Sequence, residues 1–126
     1  EKLGLSSSVT LERPTHQMQE VYRTSSVYVM TSRYEGLPMV LLEAQQMGLP
    51  IVSFACPCGP RDVITDGVDG FLVEVGDEER FLSSLKKLMT DEPMRRMMGG
   101  AARHASERYQ VDVVMQQWQE LFQGLF

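Results

Sequence analysis

The chain has no excess of positive charge and no long apolar run. Its 126 residues include 12 basic and 17 acidic side chains, which gives a net charge of -5. Domains that bind nucleic acid usually carry a basic face, so this balance argues against DNA or RNA as a partner. The longest apolar runs are about five residues, whereas a membrane-spanning helix needs roughly 20. The sequence therefore predicts neither a nucleic-acid partner nor a membrane-spanning helix.

Cysteine and histidine are also scarce, and their placement argues against a metal site. Cys56 and Cys58 flank Pro57, a spacing too short for an unstrained disulfide and without the second ligand pair that zinc requires. His16 and His104 are distant from them in sequence and are interpreted as surface or cap residues. We therefore predict no metal site. Two free thiols are typical of a reducing cytosol, so the expected location is cytoplasmic, at the membrane periphery in a full-length protein.

What the chain does have is an alternation of short β-rich runs with helical patterns. With 43% hydrophobic and 23% charged residues, it is expected to form one globular domain, 1–126. The patterns predict strands at 9–11, 27–31, 51–54 and 71–73, and helices at about 14–25 (with Thr15 as cap), 38–48 and 61–65, then from Asp77, from Pro93 and from Val111. This order predicts an α/β fold, a Rossmann-like parallel sheet with flanking helices, whose ligands bind at the carboxyl ends of the strands.

The stretch 32–44 stands at that predicted edge, where a strand gives way to a turn and then to a helix. Gly36 supplies the permissive backbone of a tight turn, and Pro38 suits the first helical position because it has no N–H to leave unpaired. A helix that begins there presents free backbone N–H groups, which bind anions such as phosphate. The loop that contains Gly59 follows the neighbouring strand, so we expect it to lie beside Glu35 and Gly36.

Two glutamates distinguish this stretch from an ordinary strand-to-helix turn. Glu35 lies just before the helix, and Glu43 lies inside it between Met39 and Met47. The rest of that helix is apolar almost all round, which is typical of a buried helix. A buried carboxylate needs hydrogen-bond partners, and no basic residue stands at a helical spacing to provide one. We therefore expect Glu43 to be buried and to bind a ligand with hydroxyl donors, although a glutamate at a helix edge commonly just reaches solvent.

The last helix, at about 111–126, carries an apolar stripe that should be buried against another part of the protein or a partner. The stripe consists of Val114, Trp118, Leu121, Phe122 and Leu125. Residues before Trp118 are expected to fold down on the domain, and exposure is expected at Leu121 to Phe126. We predict self-association through this end.

Residues 35–44 (Glu-Gly-Leu-Pro-Met-Val-Leu-Leu-Glu-Ala), with 48–52 after them, resemble the Glu, seven residues, Glu motif of retaining glycosyltransferases with the GT-B fold, in the large family 4. The resemblance continues through 59–64 and 70–73, so it covers nearly the whole chain. The chain is similar to part of the C-terminal, nucleotide-sugar-binding domain, with 111–126 as the closing helix. It departs from the pattern at Pro38, where the family often has glycine, which removes one N–H donor.

The resemblance implies a role for each matching residue. It implies that Glu35, the catalytic-site residue, contacts hydroxyls of the donor sugar, and that Glu43 holds the ribose hydroxyls of the nucleotide. It places Gly36, Leu37, Pro38, Met39 and Gly59 around the donor. The implied donor is a nucleotide-diphosphate sugar, with no cofactor and no metal, and the acceptor is a glycan, a lipid-linked molecule or a small molecule. Cell-envelope or polysaccharide biosynthesis is the implied setting.

The resemblance also implies a partner within the same protein. An N-terminal acceptor domain is missing from this chain, so the isolated chain is expected to be an inactive portion of the enzyme. Two alternatives remain open at this point: a non-catalytic module that binds a nucleotide or sugar, and a structural α/β domain. Glu35 discriminates the enzyme from the nucleotide module, because a module that binds only nucleotide does not need a sugar-facing acid.

Overall fold

The computed structural model describes residues 3–125 and shows six α-helices and three strands in this part of the chain. The helices are α1 (Met18–Thr24), α2 (Met39–Gln46), α3 (Pro60–Val63), α4 (Glu78–Thr90), α5 (Glu92–Ser106) and α6 (Val111–Gln123), and the strands are β1 (Tyr28–Met30), β2 (Ile51–Phe54) and β3 (Gly70–Val73). A short 3-10 helix, Glu107–Tyr109, joins α5 to α6.

The three strands form one parallel sheet in the order β1-β2-β3. Tyr28 pairs with Ile51, and Ile51 pairs with Gly70 on its other side. Parallel neighbours need crossover connections, which the helices between the strands supply. The predicted α/β fold with a parallel sheet is therefore confirmed, and the carboxyl ends of β1 and β2 lie at one edge.

The core lies on both faces of β2, because successive strand residues point to opposite sides of the sheet. Ile51 and Val52 are both fully buried. Ile51 belongs to the cluster of Tyr22, Met30, Leu41, Leu42, Ala44, Leu49, Val63 and Ile64, from α1, α2 and α3 and the segments beside them. Val52 belongs to the cluster of Val73, Phe81, Leu88 and Met98, beneath α4 and α5. Helices thus cover both faces of the sheet, and α5 packs against α2 as well.

Several predicted boundaries agree closely with the structure. Strand 51–54 is found as predicted, and Asp77 caps α4 by accepting a hydrogen bond from the Arg80 backbone N–H at 3.0 Å. The helix predicted from Pro93 begins at Glu92, with Asp91 as its cap. Local cap and turn chemistry decides these positions, so the sequence alone predicts them well.

Two predictions before α1 are wrong. Residues 9–11 form no strand, and Leu11 is 93% exposed, because an extended segment becomes a strand only when a neighbour pairs with it. Thr15 does not cap α1, which begins at Met18. Its Oγ1 instead accepts a hydrogen bond from the Gln17 backbone N–H at 3.0 Å, which forms a local turn before the helix.

The C-terminal helix is exposed over more of its length than predicted. None of the described residues of α6 is buried, and Trp118 is 49% exposed, although the sequence predicts exposure only from Leu121 onward. Val114 alone in the predicted stripe is half-buried. The Trp118 and Phe122 rings stack with centroids 5.6 Å apart, so they cover each other instead of the domain. Phe126 lies outside the described residues.

Candidate functional site

The loops that follow β1 and β2 meet at the carboxyl edge of the sheet, as expected. Gly59 has a φ of +63°, a conformation that side-chain-bearing residues rarely adopt. A Cβ at Gly59 would collide with the Gly36 carbonyl oxygen and with Cδ of Pro38. Only glycine allows the two backbones to approach this closely. The contact joins the Gly59 loop to the turn that opens α2.

The first turn of α2 has no side chain to satisfy its backbone donors. The sequence predicts Pro38 as the first helical residue, but α2 begins one residue later, at Met39. Pro38 is its N-cap, with φ -76° and ψ 99°, and no side chain caps this end. The first turn also contains no acidic residue. The first N–H groups of a helix have no intrahelical partner, so those of Met39 and Val40 are available to an external acceptor. This geometry suits an anion such as a phosphate oxygen.

The sequence predicts that Glu43 is buried, and this prediction is wrong. Glu43 is exposed, since the buried face of α2 consists of Leu41, Leu42, Ala44 and Gln45, and Glu43 is on the other side. Its neighbours Met39 and Met47 are exposed as well. An apolar sequence does not bury every face of a helix that packs against the sheet on one side. α2 also packs against α5, and Glu43 stays exposed because neither the sheet nor α5 covers its side of the helix.

A partner for Glu43 nevertheless exists within the chain. The Tyr22 hydroxyl on α1 donates a hydrogen bond to Oε2 of Glu43 at 2.8 Å. Tyr22 is only 4% exposed, so its ring belongs to the core while its hydroxyl reaches the surface carboxylate. Burial, and then this hydrogen bond, raise the pKa of Tyr22 well above its ordinary value of 10.0, so the phenol remains a donor at physiological pH.

Sequence reasoning missed the role of Tyr22. Tyr22 is the buried residue of α1, but nothing in the helical pattern of the sequence shows that its hydroxyl faces α2. A usable signal is the topology, because α1 and α2 flank the same strand, β1. An aromatic donor on one such helix can meet a carboxylate on the other.

Glu35 is half-buried in the loop between β1 and α2. Its negative charge acts on two neighbouring groups that are already shielded from water. The pKa of Tyr28 is raised first by burial and then by the charges of Glu43 and Glu35. The pKa of the Cys56 thiol is raised by burial and further by Glu35. Both glutamates therefore contribute negative potential around β1, and Glu35 also acts on Cys56, just after β2.

Hydrogen bonds from three side chains, of which only the Gln45 bond is buried, hold the Gly59 loop and α3 in place. The Gln45 side chain is fully buried, and its Nε2 donates to the Val63 carbonyl at 3.1 Å. Arg108 donates to the Asp62 carbonyl at 2.7 Å, and the Tyr109 hydroxyl donates to the same oxygen at 3.1 Å. These bonds connect α2, α3 and the 3-10 helix, and they fix the position of the Gly59 loop, which contacts Gly36.

A cavity of about 270 Å³ opens between α1 and α2, beside the Tyr22–Glu43 pair. It is lined by His16, Met18, Gln19, Tyr22, Glu43, Gln46 and Met47. The wall combines thioether surface with amide and imidazole groups. A ligand part held by Glu43 would have both apolar and hydrogen-bonding surface next to it.

Among residues 3–125, no three histidine, cysteine or acidic side chains group as potential metal ligands. The two cysteines are free, Cys56 buried and Cys58 exposed. No helix in the same range is both long and apolar enough to cross a bilayer.

The chain is similar to curated proteins of bacterial polysaccharide synthesis. It is 38% identical over 120 residues to the amylovoran biosynthesis glycosyltransferase AmsD of Erwinia amylovora, covering 95% of this chain and 34% of AmsD. It is 39% identical over 124 residues to an exopolysaccharide phosphotransferase of Streptomyces coelicolor, covering 98% of this chain and 13% of that protein. The chain thus spans about a third or less of the length of these relatives.

The fold is also similar to solved structures. A point mutant of TarM from S. aureus, crystallised with fondaparinux, α-GlcNAc-glycerol and UDP, superposes with a TM-score of 0.89 at 27% identity, covering 96% of this chain and 25% of TarM. Residues 1–105 match the family described as glycosyl transferases group 1. The match covers most of the chain, which confirms the family expected from the double-glutamate motif. The chain belongs to the glycosyl transferases group 1 family.

Proposed function

We propose that this chain is the donor-binding portion of a retaining glycosyltransferase that uses a nucleoside diphosphate sugar. The observation that carries the proposal is the placement of Glu43, a solvent-facing carboxylate anchored by Tyr22 close to the open first turn of α2. Family membership and the UDP in the TarM crystal support a nucleotide as the ligand.

The proposed arrangement gives each part of the donor a matching group. A carboxylate has two acceptor oxygens, so Glu43 suits the paired hydroxyls of a ribose. Glu35, at the mouth of the same site, is assigned to hydroxyls of the transferred sugar. The distal phosphate is assigned to the backbone N–H groups of Gly36, Leu37 and Met39, in the turn that opens α2.

The proposed chemistry is transfer of the sugar to an acceptor with retention of anomeric configuration. Negative charge develops on the leaving diphosphate as the glycosidic bond breaks, and fixed N–H donors at a helix start stabilise such charge. We propose that these protein donors, rather than a cation, perform this task. The resemblance of the Glu35 to Glu43 spacing to retaining enzymes supports retention, and polysaccharide synthesis in the relatives supports a glycan product.

The first test is the affinity of the Glu43→Gln variant for nucleotide. UDP, GDP, ADP and CDP are titrated into the complete protein by calorimetry, and the tightest binder is then titrated into the variant. Loss of a hydrogen bond to a charged acceptor costs about 1.5 to 3 kcal/mol, so affinity should fall roughly tenfold or more.

The matched control is Glu79→Gln, which removes the same charge from the exposed first turn of α4. It should bind the nucleotide like the unmodified protein. Binding of none of the four nucleotides, or equal affinity for Glu43→Gln and the unmodified protein, would contradict the proposal.

A further inference from the structure

The Tyr22–Glu43 hydrogen bond joins a rigid group to a mobile one. Tyr22 is almost fully buried, in the cluster with Met30 and Leu42, and its ring lies 6.0 Å from that of Tyr28 in a tilted arrangement. Core side chains are close-packed and keep one rotamer, so the position of the Tyr22 hydroxyl is fixed. Glu43 is exposed, and an exposed glutamate samples many rotamers unless something holds it.

The bond leaves most of the carboxylate free. Tyr22 donates to Oε2 alone, so Oε1 and the remaining lone pair of Oε2 can still accept hydrogen bonds. Among the described residues, no lysine, arginine or histidine forms an ion pair with Glu43 that would compete for these sites. The anchored carboxylate therefore keeps its acceptor capacity for a ligand with two neighbouring hydroxyls.

We propose that Tyr22 is a positioning residue that fixes the Glu43 carboxylate for a vicinal diol, and so makes the site selective for ribonucleotides over deoxyribonucleotides. The inference rests on the proposed function, because it takes the ribose at Glu43 as given. Tyr22 acts on the ligand through Glu43. It removes rotamers of Glu43 that the ligand would otherwise have to restrict on binding, which is the general route by which preorganisation raises affinity.

The buried phenol suits this task at neutral pH. Its pKa is raised by burial and by the bond to Glu43, so the hydroxyl keeps its proton at neutral pH. The phenol can therefore donate its hydrogen bond to Glu43 at neutral pH.

The test uses the Tyr22→Phe variant, which keeps the ring and removes only the hydroxyl. The tightest-binding of UDP, GDP, ADP and CDP is titrated into the complete protein alongside its 2′,3′-dideoxy analogue. The unmodified protein should prefer the ribonucleotide. Tyr22→Phe should lose roughly threefold to tenfold in affinity for the ribonucleotide, the range of one net hydrogen bond, and should bind the dideoxy analogue unchanged.

A matched control and a double variant separate positioning from a general structural effect. Tyr28→Phe removes a hydroxyl from a neighbouring ring of the same cluster, without a bond to Glu43, and should keep the full preference for ribose. In a Glu43→Gln background, Tyr22→Phe should cause no further loss of ribonucleotide affinity, because residues that act through one another are not additive.

Each contrary outcome has a separate meaning. If the unmodified protein prefers the ribonucleotide and Tyr22→Phe retains the same preference, the positioning role is refuted while the proposed function stands. Equal losses for both nucleotides in Tyr22→Phe would also refute it, because they indicate a general structural effect. If the unmodified protein shows no preference for ribose, both the ribose assignment of Glu43 and the positioning role fail.

Discussion

At the residue scale, the two glutamates are assigned to different parts of one donor. Substitution of Glu35 should therefore affect binding of the sugar and not binding of the nucleotide. Glu35→Gln should leave affinity for the nucleoside diphosphate within about twofold. It should lower affinity for the complete sugar nucleotide roughly tenfold, since only the sugar contacts are lost. Paired calorimetric titrations of the two ligands measure the difference. Equal losses for both ligands would place Glu35 at the nucleotide and favour a module that does not recognise a sugar.

The two cysteines offer a residue-scale test of the loop after β2. Cys56 is fully buried and its pKa is raised by burial, whereas Cys58 is exposed, with a φ of +65°. Only an accessible thiolate reacts quickly with an alkylating agent. Iodoacetamide at pH 8 should modify Cys58 rapidly and Cys56 only after unfolding, as peptide mass spectrometry can determine. Rapid alkylation of both residues in the folded chain would show that this loop is open to solvent.

At the element scale, the Gly59 turn sets the relation between the two loops of the site. Gly59→Ala should be strongly destabilising, because the left-handed backbone costs about 1 to 2 kcal/mol for a residue with a Cβ and the collision with Gly36 adds to that cost. Thermal unfolding should show the loss, and nucleotide affinity should fall with it.

Gly67→Ala is the control for this prediction. Gly67 has a φ of +76°, but a Cβ there would meet open space, so the variant carries the backbone strain without the collision. It should be destabilised less than Gly59→Ala and should retain nucleotide binding. Equal effects in both variants would mean that the contact with Gly36 contributes nothing beyond backbone strain.

The elements also show how far the sequence alone can predict this fold. The sequence predicts the Asp77 cap and the strand 51–54 correctly. The cap predicted at Thr15 is wrong, because its Oγ1 accepts a hydrogen bond from the Gln17 N–H before the helix begins. The predictions of a strand at 9–11 and of a buried Glu43 are wrong because both depend on partners distant in sequence. A strand requires a neighbour to pair with, and the exposed side of a helix is set by what packs against it.

The candidate site also contains some features that local sequence signals identify and others that depend on tertiary packing. The double-glutamate motif and the glycine turn are local signals, so Glu35, Gly36 and Glu43 can be selected from the sequence. The approach of Gly59 to Gly36 follows from strand order, and the structure confirms it. The Tyr22 hydrogen bond could not be predicted, because it joins two helices through side-chain orientations that only tertiary packing determines.

At the scale of the whole molecule, α6 presents an apolar stripe that this chain leaves uncovered. Trp118, Leu121, Phe122 and Leu125 are each about half exposed or more, and contiguous exposed apolar surface favours association. The chain of residues 1–126 should sediment with a concentration-dependent coefficient in analytical ultracentrifugation. Leu121→Glu with Phe122→Glu should shift it toward monomer without unfolding it.

The control for the Leu121→Glu, Phe122→Glu variant adds the same negative charge at positions outside the apolar stripe of α6. Ser7→Glu with Ser83→Glu changes the net charge by the same amount as the stripe variant, at exposed positions outside α6. It should associate like the unmodified chain. A monomer at every concentration up to high micromolar would contradict the prediction of self-association.

The central claim is that the nucleoside of a sugar-nucleotide donor is held by Glu43, with its diphosphate over the start of α2. A crystal structure of the complete protein with its tightest-binding nucleoside diphosphate tests this most directly. The account predicts both ribose hydroxyls within about 3 Å of the Glu43 carboxylate oxygens, with Tyr22 still bonded to Oε2 and the distal phosphate at the backbone N–H groups of Gly36, Leu37 and Met39. A ribose bound elsewhere, with Glu43 free in solvent, would contradict it.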